Sequence, residues 1–251
     1  FARIYRAFMI PAMADLKRAR EIAKCFQLPA ALRHAEVFPG GHINDSFLVS
    51  CEHPPRARFL LQRLNADVFP NPDLIMENIQ RVSDHVVDKL QSPEQTDNER
   101  RFLTLIGTQN ASPFTKCQDG DIWRMYEFIE GSVMHESARS PLEAEQAGLA
   151  FGEFQVLLDD LPDPTLHEII PDFHHTPKRI AQFKRTVEAD KCQRVATALS
   201  EIDFVLSLES QASLVVDGLA SGRLTERAVH NDAKMSNVLL DHQTGHRLCV
   251  I

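Results

Sequence analysis

One segment of the 251-residue chain carries the residue types of a reaction: His230-Asn231-Asp232-Ala233-Lys234-Met235-Ser236-Asn237. A carboxylate, an ammonium and an amide that close together in one loop can meet around a single reacting group. Asp232 can take the proton of an attacking hydroxyl, as a general base does. Lys234 can neutralise charge that builds on a group in transfer, and Asn237 can offer an amide oxygen to a hard divalent cation. A base, a cation and a metal ligand are what phosphoryl transfer to an alcohol requires. The segment runs directly into Val238-Leu239-Leu240, a short β-type run that would anchor it, and His230 reads as a brace. The plainer reading is a solvated loop before a hairpin, with His230 an ordinary buried histidine.

The same four types recur at the same offsets in the protein-kinase catalytic loop, H-x-D-x-K-x-x-N, which directs attention to the elements that would supply phosphates to it. Residues 35–38, 46–50 and 58–64 read as three antiparallel strands rich in Phe, Val and Leu. Between the first two lies Pro39-Gly40-Gly41-His42-Ile43-Asn44-Asp45, whose backbone N–H groups could fold over phosphates. Gly40, Gly41, His42 and Asn44 are therefore candidate nucleotide contacts, against the plainer reading of a glycine-containing hairpin. On the third strand, Gln62 or Arg63 stands where a kinase keeps its phosphate-binding lysine. Strand alternation puts the two on opposite faces and does not choose between them. Arg63 is favoured, because a guanidinium is a bidentate phosphate ligand. Glu77, on the helix that follows, is its candidate ion-pair partner or else a surface acid. Residues 125–130 are the candidate connection whose backbone would meet adenine.

The remaining elements follow from caps and periodicity. Residues 15–26 place Leu16, Ala19, Ile22 and Phe26 on one helical face, and Asn71-Pro72-Asp73 opens a helix carrying Ile75, Ile79, Val82, Val86 and Leu90. Residues 92–100 read as a loop, and 102–106 and 121–129 as strands. Ser140-Pro141-Leu142-Glu143 is a capping box, and Gly148 and Gly152 on that helix would let another helix approach closely. Thr176-Pro177 starts a further helix, and 194–219 carries one long helical pattern. The pattern predicts an α+β chain with a sheet-rich lobe over 1–130 and a helix-rich lobe over 131–251.

Composition narrows the partners. Twenty-seven Lys and Arg against 35 Asp and Glu give a net charge of -8, with no basic run to follow a phosphate backbone, so nucleic acid is not the expected partner. Five scattered cysteines without C-x-x-C spacing predict reduced thiols, no zinc site and a cytoplasmic location. No stretch of eighteen apolar residues predicts a membrane span, and the short run near Pro11 is a poor signal peptide. The opening Phe and the closing run Leu248-Cys249-Val250-Ile251, a strand pattern with no turn after it, read as the ends of an incomplete copy.

Four stretches together resemble the N-acetylhexosamine 1-kinase group of the aminoglycoside phosphotransferase and choline kinase superfamily. They are Gly41-His42-Ile43-Asn44-Asp45, Leu61-Gln62-Arg63-Leu64-Asn65, Trp123-Arg124-Met125-Tyr126 with Phe128-Ile129-Glu130-Gly131, and the loop from His230 to Leu239. The resemblance implies a protein-kinase-like bilobal fold with an antiparallel N-lobe sheet and a mostly helical, here truncated, C-lobe. It implies ATP and Mg2+ as cofactors and a small-molecule sugar acceptor, GlcNAc or GalNAc, phosphorylated at its anomeric hydroxyl. Asp232 would be the base, Lys234 the phosphoryl contact and Asn237 a metal ligand. Most of the superfamily has His where this chain has Lys234, which favours the hexosamine branch over kinases for aminoglycosides, choline or other small alcohols. A kinase-like protein that binds nucleotide without turnover is a third reading. The family continues with an Asp-x-Asp stretch that holds magnesium, expected beyond Ile251, so the chain as it stands is expected to be inactive.

Overall fold

The computed structural model describes residues 13–39, 43–52, 57–90 and 102–251. Helix α1 (Met13–Ala23) precedes strands β1 (Leu32–Val37), β2 (Asp45–Cys51) and β3 (Arg58–Arg63). Helix α2 (Pro72–Leu90) follows, then strands β4 (Thr115–Lys116) and β5 (Ile122–Glu127). The strands pair antiparallel in the order β1-β2-β3-β5-β4. Gly40, Gly41 and His42, the expected loop at 92–100 and the segment around Pro11 lie outside the described residues.

Alternation along these strands sorts side chains onto two faces. Phe47, Val49, Phe59, Leu61, Trp123 and Met125 pack with Ala19 and Ala23 of α1 and with Phe26 just after it into the main core. Several of them, including Trp123, Phe47 and Leu61, are fully buried. On the other face Leu64 and Ile122 meet Met76 and Ile79 of α2. The two helices therefore cover opposite faces of the sheet, each by its apolar stripe. The β4–β5 hairpin turns at Gly120, whose φ of 91° is open to glycine at little cost.

Residues 102–106 differ from the expected strand. The Ile106 N–H donates to Met125 and the Glu127 N–H to Thr104, but Gly107 and Gln109 bond instead to Gln27 and Cys25. A backbone that divides its hydrogen bonds between β5 and the segment after α1 cannot extend one ladder.

The second half opens with β6 (Ser132–Val133) and α3 (Pro141–Leu158). The cap is formed as read: Ser140 Oγ accepts from the Glu143 N–H at 3.2 Å, with proline in the first turn. Helices α4 (Thr176–Ala189), α5 (Leu199–Ser207) and α6 (Leu214–Ala220) follow, and β7 (Val238–Asp241) and β8 (Arg247–Val250) close the described chain in a sheet ordered β6-β7-β8. The long pattern at 194–219 is thus broken into α5, α6 and short 3-10 turns. Serines interrupt it, and the Ser207 hydroxyl bonds the Phe204 carbonyl, a local competitor of helix continuation. Among the described residues no helix uses the room left at Gly148 and Gly152: an added Cβ at either would meet nothing within 4 Å.

Two compact units result. One holds the described residues up to Ile169 together with Asp232–Ile251, the other Ile170–Asn231. Residues 131–169 and 232–251 thus group with the sheet. Within the first unit, α2 is tied to the end of α3. Lys89 Nζ donates to the Leu157 carbonyl at 2.8 Å and to Asp160, and His85 Nε2 lies 3.1 Å from both groups. The Lys89 hydrogen bond, with His85 adding to it, holds the Asp160 carboxyl below its ordinary value. A depressed carboxyl contributes stability above its unfolded pKa and loses it as pH falls through the folded value. Over that acid window the wild-type melting temperature is expected to fall more steeply than that of Asp160→Asn. Parallel slopes would show that the bridge contributes nothing.

Candidate active site

The loop from Asp232 to Asn237 is held at its downstream end by the hairpin that follows it. Upstream, Asn231 adopts a φ of 66°, a left-handed conformation that Asn tolerates better than most residues. Its carbonyl accepts a hydrogen bond from His174 Nε2 at 3.0 Å. Downstream, the residues Met235–Asn237 form a 3-10 turn, with the Asn237 N–H on the Lys234 carbonyl at 3.0 Å. Ser236 is buried, and Met235 packs on the core of Val238, Leu240 and Ala150. The Asn237 carbonyl in turn accepts from the Ile251 N–H at 2.9 Å. The turn is therefore seated on the β7–β8 hairpin, and the hairpin on α3.

Arg247 of β8 strengthens that seat. Its Nε donates to Glu153 at 2.9 Å and its Nη1 to Gln146 at 3.2 Å, both on α3. The hairpin itself is closed by Asp241, whose Oδ1 accepts from the Gln243 and Thr244 N–H groups at 3.0 and 2.9 Å. This is an Asx-type turn of the kind that Asp favours.

Three sequence-predicted residues meet here. Asn237 Nδ2 donates to the Asp232 main-chain oxygen at 2.7 Å and to its Oδ2 at 2.9 Å. Lys234 Nζ lies 2.9 Å from the same Oδ2. Asp232 and Lys234 are exposed, with side chains 57% and 55% accessible, so a substrate can reach both. Within the 170–231 unit, sequence reasoning missed the bond of His174 to Asn231, 57 positions on, which carries no spacing signal.

Because Asn237 turns its nitrogen to Asp232, its amide oxygen is the atom left to act as a ligand. That fits one position of a magnesium shell. Among the described residues no three His, Cys, Asp or Glu side chains gather into a metal site.

The N-terminal candidates come out differently. Arg63 faces the α1 side of the sheet. Its Nε and Nη2 bond Asp45 at 2.8 and 2.5 Å, its Nη1 lies 3.3 Å from Asp121 and 3.4 Å from Asp15, and its guanidinium stands 5.6 Å from the Trp123 ring. Burial opposes the Arg63 charge, but Asp45, Asp121 and Asp15 outweigh it and hold its pKa above the ordinary guanidinium value. An arginine engaged by three carboxylates is a structural hub, not a waiting phosphate ligand. Nor does it meet Glu77, whose carboxylate lies 3.0 Å from His167 Nε2. Gln62 takes the opposite face and bonds Ser46 and Arg124. Asn44 Oδ1 accepts from the Asn65 N–H at 3.1 Å, and the Ile43 carbonyl accepts from Asn65 Nδ2 at 3.1 Å. Asn44 thus braces the β1–β2 loop against the exit of β3.

Elsewhere, a cavity of about 400 Å³ is bounded by Arg33, His34, Ser50, Cys51 and Arg58, and one of about 330 Å³ in the 170–231 unit by residues including Lys178, Arg179 and Arg185. Neither is lined by a candidate catalytic residue. All five cysteines are unpaired, and burial pushes the Cys249 thiol up to about 12. Among the described residues no helix is long and apolar enough to cross a membrane.

Solved structures share this fold. A spectinomycin phosphotransferase in complex with ADP and spectinomycin superposes with a TM-score of 0.53 at 12% identity, over 94% of this chain and 67% of that one. Its AMP-bound complex gives 0.54 at 12%, over 94% and 68%. An aminoglycoside phosphotransferase from Alicyclobacillus acidocaldarius gives 0.56 at 13%, over 97% and 66%. The chain thus spans about two thirds of the length of these structures. At such identity they establish the fold: an α+β chain with an antiparallel N-terminal sheet followed by helices, of the kinase-like type expected. A family model described as the phosphotransferase enzyme family (APH) matches residues 34–251, and the chain belongs to that family.

Proposed function

We propose that this chain carries the phosphoryl-transfer site of an ATP-dependent small-molecule kinase, whose acceptor is the anomeric hydroxyl of an N-acetylhexosamine. The observation that carries the reading is the Asp232–Lys234–Asn237 cluster on a turn seated on the β7–β8 hairpin. In this reading the Asp232 carboxylate takes the acceptor's proton as the hydroxyl oxygen bonds the γ-phosphorus and the bond to the β-phosphate oxygen breaks. Lys234 leaves its ion pair with Asp232 to follow the charge on the transferred group. Asn237 holds the base in place through its nitrogen and offers its oxygen to magnesium, which when bound would neutralise phosphate charge. Residues 1–130 are proposed as the nucleotide-binding lobe and 131–251 as the helical lobe. Gly40, Gly41 and His42 remain proposed phosphate contacts, and residues 125–130 the adenine contact.

A second acceptor class has its own support. The solved structures similar in fold are described as phosphotransferases of spectinomycin and aminoglycosides, and the adenine nucleotides in two of them support nucleotide use. Lys234 at the position most of the superfamily gives to His favours the sugar. The test is a panel of GlcNAc, GalNAc, spectinomycin, other aminoglycosides and choline with ATP and magnesium. The highest kcat/KM is expected with GlcNAc or GalNAc, with the product phosphorylated at the anomeric carbon. A preference for a cationic acceptor, or phosphate on a primary hydroxyl, would remove the sugar assignment and keep the kinase.

A further inference from the structure

We propose that Arg124 on β5, and no cation on β3, is the residue that grips the nucleotide's phosphates, an inference that rests on the reading of the chain as an ATP-dependent phosphotransferase. Ser46, Gln62 and Arg124 form one row across three adjacent strands, in register as Ser46 opposite Gln62 and Gln62 opposite Arg124. Alternation places the row on the α2 side of the sheet, away from Phe47, Leu61 and Trp123. Gln62 Nε2 donates to Ser46 Oγ at 3.1 Å, which fixes the amide with its oxygen toward Arg124. That oxygen then accepts from Arg124 Nε at 3.1 Å and Nη2 at 3.0 Å. The guanidinium also stands 5.1 Å from the centre of the Tyr126 ring.

Every one of these partners is neutral. Arg18, Arg58, Arg63, Arg139 and Arg247 each meet a carboxylate, whereas Arg124, half-buried, meets none among the described residues. A guanidinium withdrawn from water without a counter-ion carries an uncompensated desolvation cost, which an oxyanion would relieve. The Nε edge is used on Gln62 and the guanidinium also hydrogen-bonds the Tyr126 side chain, yet both partners are neutral, so a phosphate oxygen would be the first anion the fork meets. The row also begins at the right place. Ser46 lies two residues from Asn44, whose side chain is braced onto the Asn65 N–H, so the row starts beside the exit of β3. A neutral glutamine on β3 then makes sense: it aims the cation of the next strand.

The test is equilibrium titration of the wild-type protein, Arg124→Met and Arg124→Lys with ATP and, separately, with adenosine. Arg124→Met is expected to weaken ATP roughly tenfold to a hundredfold, the loss of a charge-assisted pair. Adenosine, which has no phosphate, should bind as in the wild type, and Arg124→Lys should fall between. Should the Met variant fail to melt cooperatively, the Lys variant carries the same comparison with a smaller loss. Unchanged ATP affinity, or equal losses for ATP and adenosine, would overturn the role of Arg124 and leave the kinase reading standing. A wild-type protein that binds no ATP would overturn the kinase reading itself, and this inference with it.

Discussion

Asp232→Asn is expected to lower kcat by roughly two to four decades, the usual loss when a positioned base is removed. The substitution is nearly isosteric. An amide oxygen at the Oδ2 position can still accept from Asn237 and Lys234, so the turn keeps its shape. What it loses is the proton acceptor, because an amide oxygen does not take a proton from an alcohol. Nucleotide affinity should stay close to that of the wild type, since the carboxylate acts on the acceptor hydroxyl and not on ATP. Steady-state kinetics together with an ATP titration separate these effects. A variant within about tenfold of wild-type kcat would remove Asp232 from the role of base.

Arg63→Met is expected to cost about 2–3 kcal/mol of stability, below the range for a fully buried pair because the Arg63 side chain is 23% exposed. The substitution keeps much of the apolar stem beside Trp123 but leaves Asp15, Asp45 and Asp121 facing one another without their shared cation. Chemical denaturation reads the loss. The folded variant should discriminate ATP from adenosine as the wild type does, unlike Arg124→Met. A selective loss of ATP binding with normal stability would restore Arg63 as a phosphate ligand and contradict the hub geometry.

The two arginines show where one-dimensional reading reaches its limit. Alternation says that Gln62 and Arg63 face opposite ways, yet the choice of face depends on which helix covers which side. Ala19, Ala23 and Phe26 settle it by packing on the face of Phe59 and Leu61, and Arg63 goes with them. Its three acids come from α1, from β2 and from the start of β5, up to 58 positions away. Arg124 could be noticed only as part of a matched stretch, since what singles it out is the absence of a carboxylate beside it. The 102–106 segment and the pattern at 194–219 misled for a related reason. Local β and helix propensities are real there, but backbone bonds to residues 25–27 and serine hydroxyls draw the chain elsewhere.

Much was nonetheless legible in the chain itself. The capped starts at Pro72 and Pro141 carry their own signals, and strands β1 to β3 and β5 declare themselves by alternation. The turn between β7 and β8 is written in Asp241, whose side chain bonds residues two and three positions on. The Asp232–Lys234–Asn237 cluster was readable because its members lie within six residues of one another, so one local turn brings them together. Contacts within a few residues follow from local stereochemistry, and a sequence states them directly. The pairing of Glu77 with His167, the donation of His174 to Asn231 and the sequestration of Arg63 join residues from 18 to 90 positions apart, and the standing of Arg124 depends on which partners are missing. Those are decided only when hydrophobic faces have chosen their neighbours and the polar groups left over find what lies within reach.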